Sequence, residues 1–113
     1  MAWRPRNLKQ EPSAEGLPAS VRFYRRTDVF TDASVPKGLL KAHATREGVW
    51  GLIRVLEGRL AYRITDPRRP AAETVLQPDA EPGLVEPTVL HEVEPLGPVR
   101  FYVEFHRPGP PGG

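Results

Sequence analysis

Prolines and glycines interrupt this chain so often that they leave little room for a long helix. The 113 residues include 14 Pro and 10 Gly, and most of the prolines lie between short apolar runs. Proline fixes φ and removes a backbone donor, so it is typical of turns and strand ends. The runs between the turns alternate apolar and polar side chains, as in residues 60–64, which is the pattern of a half-buried strand. The sequence therefore predicts a fold made of short strands.

These strands recur at even spacing, and no segment shows a helical stripe. In the last strand, Phe101, Val103 and Phe105 lie on one face and their polar neighbours on the other, because successive side chains alternate across a strand. Short strands joined by Gly/Pro turns predict an all-β sandwich or barrel. The predicted strands cover residues 21–26, 39–45, 49–56, 59–65, 73–76, 84–87, 90–95 and 99–107.

Length favours a single domain. A chain of 113 residues is long enough to bury one core, with little margin. Residues 1–18 are polar and interrupted by proline, and we expect them to form an N-terminal arm. We expect residues 19–107 to form the folded barrel. The Pro/Gly tail, residues 108–113, is expected to be flexible.

Composition argues against several classes of protein. No apolar stretch approaches the roughly 20 residues of a membrane span, and no apolar signal region follows the N-terminus. We therefore expect a cytoplasmic protein without a membrane partner. The net charge is only +2 and opposite charges are interleaved, so no basic patch predicts binding to nucleic acid. The absence of cysteine excludes disulfides and thiolate ligands.

Two of the three histidines are the main candidates for chemistry. His43 lies in the middle of a predicted strand and His91 at the start of another, and a closed barrel can aim both imidazoles inward. Imidazole nitrogen suits Zn, Fe and Ni, and a catalytic site commonly adds a third protein ligand. The candidates for that ligand are Glu86, Glu104 and Glu47. The alternative is that each histidine is an ordinary hydrogen-bonded residue.

A family resemblance supports the first interpretation. Residues 38–45, with the Val-Leu-Glu-Gly of residues 55–58, resemble the first cupin motif, and residues 82–91 resemble the second. More narrowly, residues 21–107 resemble the small single-domain cupins related to tellurite resistance. That domain also occurs fused ahead of a methyltransferase. The resemblance implies a cupin-type double-stranded β-helix, the jelly-roll barrel, and a role linked to stress from oxyanions such as tellurite.

The chain departs from the usual ligand set of this family, which has three histidines and one glutamate. The second histidine of the first motif is Thr45 here, and the motif glutamate falls on Gly51. Only His43 and His91 carry over, and Glu86 is the candidate to complete a set for a divalent Zn, Fe or Ni ion. The residues expected to line the same pocket are Thr45, Trp50 and Glu104.

Three hypotheses about function stay open at this point. The first is a metal-dependent pocket that acts on, or senses, a small molecule or an oxyanion. The second is a non-catalytic binding module without metal, in which Arg54 or Arg63 helps to hold the ligand. The third is an interaction role, since open sheet edges and a polar arm suit a homodimer. The residues do not decide whether the chain is an enzyme.

Overall fold

The computed structural model describes residues 15–109, and this range is all β apart from one turn of 3-10 helix. No helix in it is long and apolar enough to cross a membrane. The 3-10 turn covers Lys37–Leu40. The strands are β1 Val21–Arg26, β2 Phe30–Thr31, β3 Trp50–Glu57, β4 Leu60–Ile64, β5 Ala72–Leu76, β6 Gly83–Val85, β7 His91–Pro95 and β8 Arg100–Pro108.

The strands form two antiparallel sheets. The larger has five strands, in the order β1-β8-β3-β6 with β2 also paired to β8, and the smaller has three, in the order β5-β4-β7. The long strand β8 organises the larger sheet, because β1, β2 and β3 all pair with it. Its register sets Val103 opposite Ile53 and Glu104 opposite Leu52. Alternate residues of β3 and β8 therefore face the same side of the sheet.

The core lies between the two sheets. Ile53, Phe101 and Val103 come from the larger sheet and pack in one cluster with Leu60 and Tyr62 of the smaller sheet. Phe101 and Leu60 are completely buried. Burial of apolar surface between two sheet faces is the main favourable term that holds such a sandwich together.

A second, smaller cluster covers the outer face of the larger sheet. Leu17 packs there with Val21 and Leu52, and Trp50 and Leu84 lie against them. Residues 15–18 of the predicted arm therefore contact the folded domain. The rest of the arm and the end of the tail, residues 1–14 and 110–113, lie outside the described residues.

The structure corrects the predicted closed barrel. The two sheets stay separate, and between residues 15 and 109 no ladder of paired strands joins them. The edge strands are too short for closure: β6 is only three residues long, and Pro87, two residues after it, cannot donate to a ladder. What the structure shows is an all-β fold of two facing antiparallel sheets.

The predicted strand over residues 39–45 is also wrong. Pro36 starts a 3-10 turn in this region, and the backbone N–H of Leu39 donates to the Pro36 carbonyl at 3.0 Å. After the turn the chain is irregular, and His43 alone makes an isolated bridge. Local turn chemistry overrides strand propensity here, because proline pre-sets φ for a turn. The other predicted strands are present with end points shifted by one or two residues.

A buried carboxylate fixes the loop that leads into β7. Asp66 is 3% exposed and accepts a hydrogen bond from the backbone N–H of Leu90 at 3.0 Å. It also pairs with the Arg68 guanidinium at 2.7 Å, and Arg68 donates to the Thr88 carbonyl at 2.7 Å. Thr88 has a φ of 65°, an unusual conformation for a residue with a β-branched side chain. Asp66 and Arg68 together hold the turn that places His91.

We predict that Gly58→Ala lowers the free energy of unfolding by at least about 2 kcal/mol. Gly58 has a φ of 79° in the turn between β3 and β4, and a Cβ there would overlap the Pro98 carbonyl oxygen. Urea unfolding measures the loss. Gly38→Ala is the matched control, because a Cβ at Gly38 meets nothing within 4 Å. Equal stability of the two variants would contradict the prediction.

We predict that Asp66→Asn lowers Tm by several degrees near neutral pH. Hydrogen bonds from Arg68, and then from the backbone N–H groups of Leu90 and Arg68, hold the pKa of Asp66 well below its ordinary value of 3.8. A depressed folded-state pKa contributes stability above the unfolded-state pKa, and this contribution is lost as the pH falls towards the folded-state value. In thermal melts from about pH 7 to about pH 2, the difference in Tm between the two proteins should therefore hold steady down to about pH 4 and narrow below it. A difference in Tm that stays constant across this range would count against it.

Candidate functional site

Two histidines that are far apart in the sequence lie side by side at the β7 edge of the smaller sheet. The backbone N–H of His43 donates to the His91 carbonyl at 2.8 Å, and the N–H of His91 donates to the His43 carbonyl at 2.9 Å. This reciprocal bridge joins the irregular segment after the 3-10 turn to the first residue of β7. The two imidazole centroids are 5.5 Å apart and the rings are nearly perpendicular.

His91 is held in a defined orientation. The residue is 4% exposed, its Nδ1 lies 3.0 Å from the Val89 carbonyl oxygen, and its ring packs edge-on against Tyr62. Burial lowers the pKa of His91, and the neighbouring His43 lowers it further, against the opposing effect of the Val89 carbonyl. A neutral ring that donates from Nδ1 leaves the lone pair on Nε2. That nitrogen can accept a hydrogen bond or bind a metal ion.

The histidine pair forms part of the wall of a cavity of about 270 Å³. The other walls come from both sheets and from the 3-10 turn, and almost all of them are apolar. The two imidazoles and the side chains of Thr27 and Thr45 are the polar groups among the described residues that line it. The aliphatic and aromatic walls include Phe30, Ile53, Val93, Phe101, Val103 and Phe105.

Thr45 and Gly51, the two departures from the cupin ligand set, both line this cavity. The Thr45 hydroxyl donates to the Val49 carbonyl at 2.7 Å, so it closes the turn before β3. Gly51 is buried in β3, and a Cβ there would lie 3.2 Å from the Cβ of Val85. The position where the resemblance places a glutamate therefore faces the cavity, and a side chain there would press against Val85.

Glu86 lies in the turn after β6 and does not line the cavity. Its carboxylate pairs with the Arg69 guanidinium at 2.9 Å, and its side chain is 41% exposed. Within residues 15–109, no group of three or more His, Asp or Glu side chains is arranged to hold a metal ion. The structure thus brings His43 and His91 together and leaves Glu86 with a different partner. Glu47, the other candidate, is exposed in the turn before β3.

Trp50 and Glu104 lie on the opposite face of the larger sheet from the cavity. Trp50 packs against the outer cluster, and the Glu104 carboxylate forms an ion pair with Arg54. Strand parity explains both positions: Trp50 alternates with the cavity-lining Gly51, and Glu104 lies between two residues that face inward. The geometry therefore separates these two residues from the pocket that they were expected to line.

Arg54 and Arg63, the arginines suggested as ligand contacts, are occupied elsewhere. Arg54 pairs with Glu15 at 2.8 Å as well as with Glu104. Arg63 pairs with Glu73 at 2.7 Å and with Glu94, across the three strands of the smaller sheet. Neither arginine lines the cavity. Both serve to pair charges on a sheet surface.

The sequence interpretation missed three other arginines that lie together outside the cavity. Arg25, Arg46 and Arg107 line a depression of about 460 Å³ that shares His43 with the cavity. These residues come from β1, from the turn before β3 and from the end of β8. No spacing signal marks them, because only the pairing of β1 with β8 and the path of the loop bring them together.

Comparisons with known proteins agree with this fold. The TehB-like domain family matches residues 25–103. A probable S-adenosyl-L-methionine-dependent methyltransferase TehB from Haemophilus influenzae strain Rd is 34% identical over 74 residues, which is 65% of this chain and 26% of that protein. The protein of the same description from strain 10810 is 32% identical over the same length. The chain thus spans about a quarter of the length of the curated relatives that it matches.

Two crystal structures share the fold. That of TehB from H. influenzae superposes with a TM-score of 0.72 at 26% identity, over 79% of this chain and 32% of that one. That of an Escherichia coli K12 protein superposes with a TM-score of 0.72 at 17% identity, over 83% of this chain and 97% of that one. The second likeness concerns the fold alone. Since the family match covers most of the two facing sheets and both histidines, the chain belongs to the TehB-like domain family.

Proposed function

We propose that the chain is a small-molecule-binding domain whose histidine pair holds a divalent metal ion beside the apolar cavity. The observation that carries this proposal is the reciprocal backbone bridge between His43 and His91, which sets two imidazoles next to each other at the cavity wall. Two imidazoles held at a fixed separation by backbone hydrogen bonds are a preorganised pair of donors. Zn, Fe and Ni all accept imidazole nitrogen.

The described residues fit such an ion only in part. His91 keeps Nε2 free of the Val89 contact, and the ring of His43 is exposed. A third protein ligand requires Glu86 to leave Arg69, and we propose that metal binding drives this exchange. A bound divalent ion polarises a ligand oxygen or activates a water molecule. The part played by the chain itself is to fix the donors and to exclude water with apolar walls.

The family supports a role in resistance to tellurite or a related oxyanion stress. The matched relatives are described as probable TehB methyltransferases, and this chain spans only about a quarter of their length. We therefore propose that it corresponds to a domain that accompanies the methyltransferase and binds a ligand, and that its two sheets are a cupin-type jelly roll. The superposition on the E. coli protein along nearly all of that chain supports a domain of this size folding alone.

We predict that removal of either histidine abolishes tight metal binding. Untagged protein treated with EDTA is titrated with Zn²⁺ and then analysed for bound metal. His43→Ala or His91→Ala should lower Zn²⁺ affinity by about 100-fold or more, since even outer-shell partners of metal ligands are worth roughly 10–100-fold. Glu86→Gln should cause a smaller loss.

The third histidine is the matched control for this experiment. His106 lies on the face of β8 away from the cavity, where its ring packs edge-on against Phe23. His106→Gln should therefore leave Zn²⁺ affinity unchanged. Wild-type protein that takes up no stoichiometric metal, and whose Tm does not rise with Zn²⁺, would disprove the metal proposal.

A second candidate is a binding domain that needs no metal. The observation in its favour is that, among residues 15–109, the two histidines have no third ligand beside them, while Glu86 is paired with Arg69. In this case the imidazoles contact the ligand directly by hydrogen bonds. Ligand affinity that survives complete removal of metal would favour this candidate over the first.

We also propose that two copies pair through their open sheet edges. Strands β1 and β5 are edge strands, and each bears an exposed apolar side chain, Phe23 and Val75. Unpaired edges with apolar side chains favour association. Sedimentation velocity at micromolar concentration should give the mass of a dimer, and a purely monomeric protein would contradict this expectation.

A further inference from the structure

A group of positive charges lies beside the cavity. We call the depression outside the cavity the vestibule, and define it by Arg25, Arg46, Arg107 and His43. The vestibule has a volume of about 460 Å³. None of the nine described residues that line it is acidic. Like charges gathered in a concave surface strengthen the local field and attract a counter-ion.

The three arginines of the vestibule have no carboxylate partner within residues 15–109. Elsewhere in this range five arginines pair with acids, namely Arg54, Arg63, Arg68, Arg69 and Arg100. Arg22, Arg26 and Arg59 have no carboxylate partner within residues 15–109 either, but they do not line the vestibule. What distinguishes the vestibule is that three unpaired arginines line one depression in which no described lining residue is acidic. Charge that is left unpaired at one concave surface can bind a ligand of opposite sign.

Two of these guanidinium groups are also held in place by aromatic rings. The Cζ of Arg107 lies 4.2 Å from the ring centroid of Tyr24, and that of Arg25 lies 5.8 Å from the centroid of Phe105. Stacking on an aromatic face restricts a long side chain without using its N–H donors. The ring contacts leave the N–H donors free for a ligand, so an anion binds with less loss of side-chain entropy.

The vestibule and the apolar cavity are adjacent. They share three lining residues, His43, Thr45 and Phe105. A single molecule can therefore contact both, with a charged group among the arginines and an apolar body beyond the histidine pair. An apolar cavity of roughly 150 Å³ is enough to hold benzene, and the cavity of this chain is about 270 Å³.

We propose that the ligand is a small organic anion, with its carboxylate or similar group in the vestibule and its apolar part in the cavity. This inference rests on the proposed binding function of the cavity and names the class of its ligand. An inorganic oxyanion pairs with the arginines but leaves the apolar walls of the cavity uncovered. An uncharged apolar molecule covers those walls but leaves the arginines without a counter-ion. Only a molecule with both parts uses both halves of the site.

The test compares four probes on the EDTA-treated full chain by isothermal titration calorimetry. Benzoate has the charge and the apolar body, acetate and phosphate have only the charge, and benzyl alcohol has only the ring. Benzoate should bind about tenfold or more tightly than each of the others, as expected when one half of the interaction is missing. Added NaCl should weaken benzoate binding and leave benzyl alcohol unaffected.

Arginine variants locate the anion. The double variant Arg46→Gln with Arg107→Gln should weaken benzoate binding about tenfold and leave benzyl alcohol binding unchanged. Arg100→Gln is the matched control: Arg100 begins β8, at the opposite end of that strand from Arg107, and pairs with Glu57 at 3.2 Å. All three arginines are exposed, so circular dichroism and Tm should show that the variants fold.

Each result bears on the proposal. Tighter binding of benzoate together with its loss in the double variant supports it. Equal affinity for benzoate and benzyl alcohol, tighter binding of phosphate than of benzoate, or an equal loss in Arg100→Gln would overturn it. Because these titrations use metal-free protein, their result does not depend on the Zn²⁺ experiment. The metal proposal can therefore be disproved while this one is supported, and this one can be disproved while the metal proposal is supported.

Discussion

The bridge between His43 and His91 is the contact on which the site depends. The two sheets of this chain are not joined by a continuous ladder, so the irregular segment after the 3-10 turn must be tied down in another way. Two backbone hydrogen bonds do this at a single residue pair, and Leu39 adds apolar contact with the core. The same two bonds that close this side of the sandwich also fix the spacing of the imidazoles. The hydrogen bonds that hold this segment in place therefore also set the geometry of the site.

The His91 side of that bridge is held by the ion pair between Asp66 and Arg68. Asp66 holds the backbone of Leu90, and Arg68 holds the carbonyl of Thr88, so the turn before His91 has little freedom. A buried carboxylate is costly unless it is paired and hydrogen-bonded, and Asp66 is both. Its role is to position the backbone, and it lies in the loop after β4. Nothing in the local sequence distinguished it from an ordinary loop aspartate.

Much of the fold was predictable because strands have a strict period of two. The alternation of Phe101, Val103 and Phe105 predicts that they share one face of β8, and in the structure that face lines the cavity. The same parity places Glu104 on the other face, and applying it to every candidate would have kept that residue out of the pocket. The strand prediction failed where the backbone is irregular, over residues 39–45, because Pro36 and the 3-10 turn determine the path there.

The approach of the two histidines was foreseeable only through the family resemblance, and the vestibule was not foreseeable at all. His43 and His91 are 48 positions apart in the sequence, and no periodicity connects a residue in a loop with the first residue of a strand. The vestibule depends on residues that are even further apart in the sequence. Arg25 and Arg107 become neighbours only because β1 pairs with β8 at the edge of the larger sheet. Sequence patterns predict which face of a strand is buried and where the chain turns. Which charged side chains lie together depends on how the strands pair.

The departures from the cupin ligand set have a physical consequence for what this domain can hold. At Gly51 the chain has no side chain where the family resemblance places a glutamate, and the position faces an apolar cavity. A carboxylate there would bring negative charge into low-dielectric surroundings and fill part of the space, and without a cation it would be strongly disfavoured. Its absence leaves two imidazoles and apolar walls, with the arginines of the vestibule beside them. These groups fit the ligand that we propose, which brings its own negative charge.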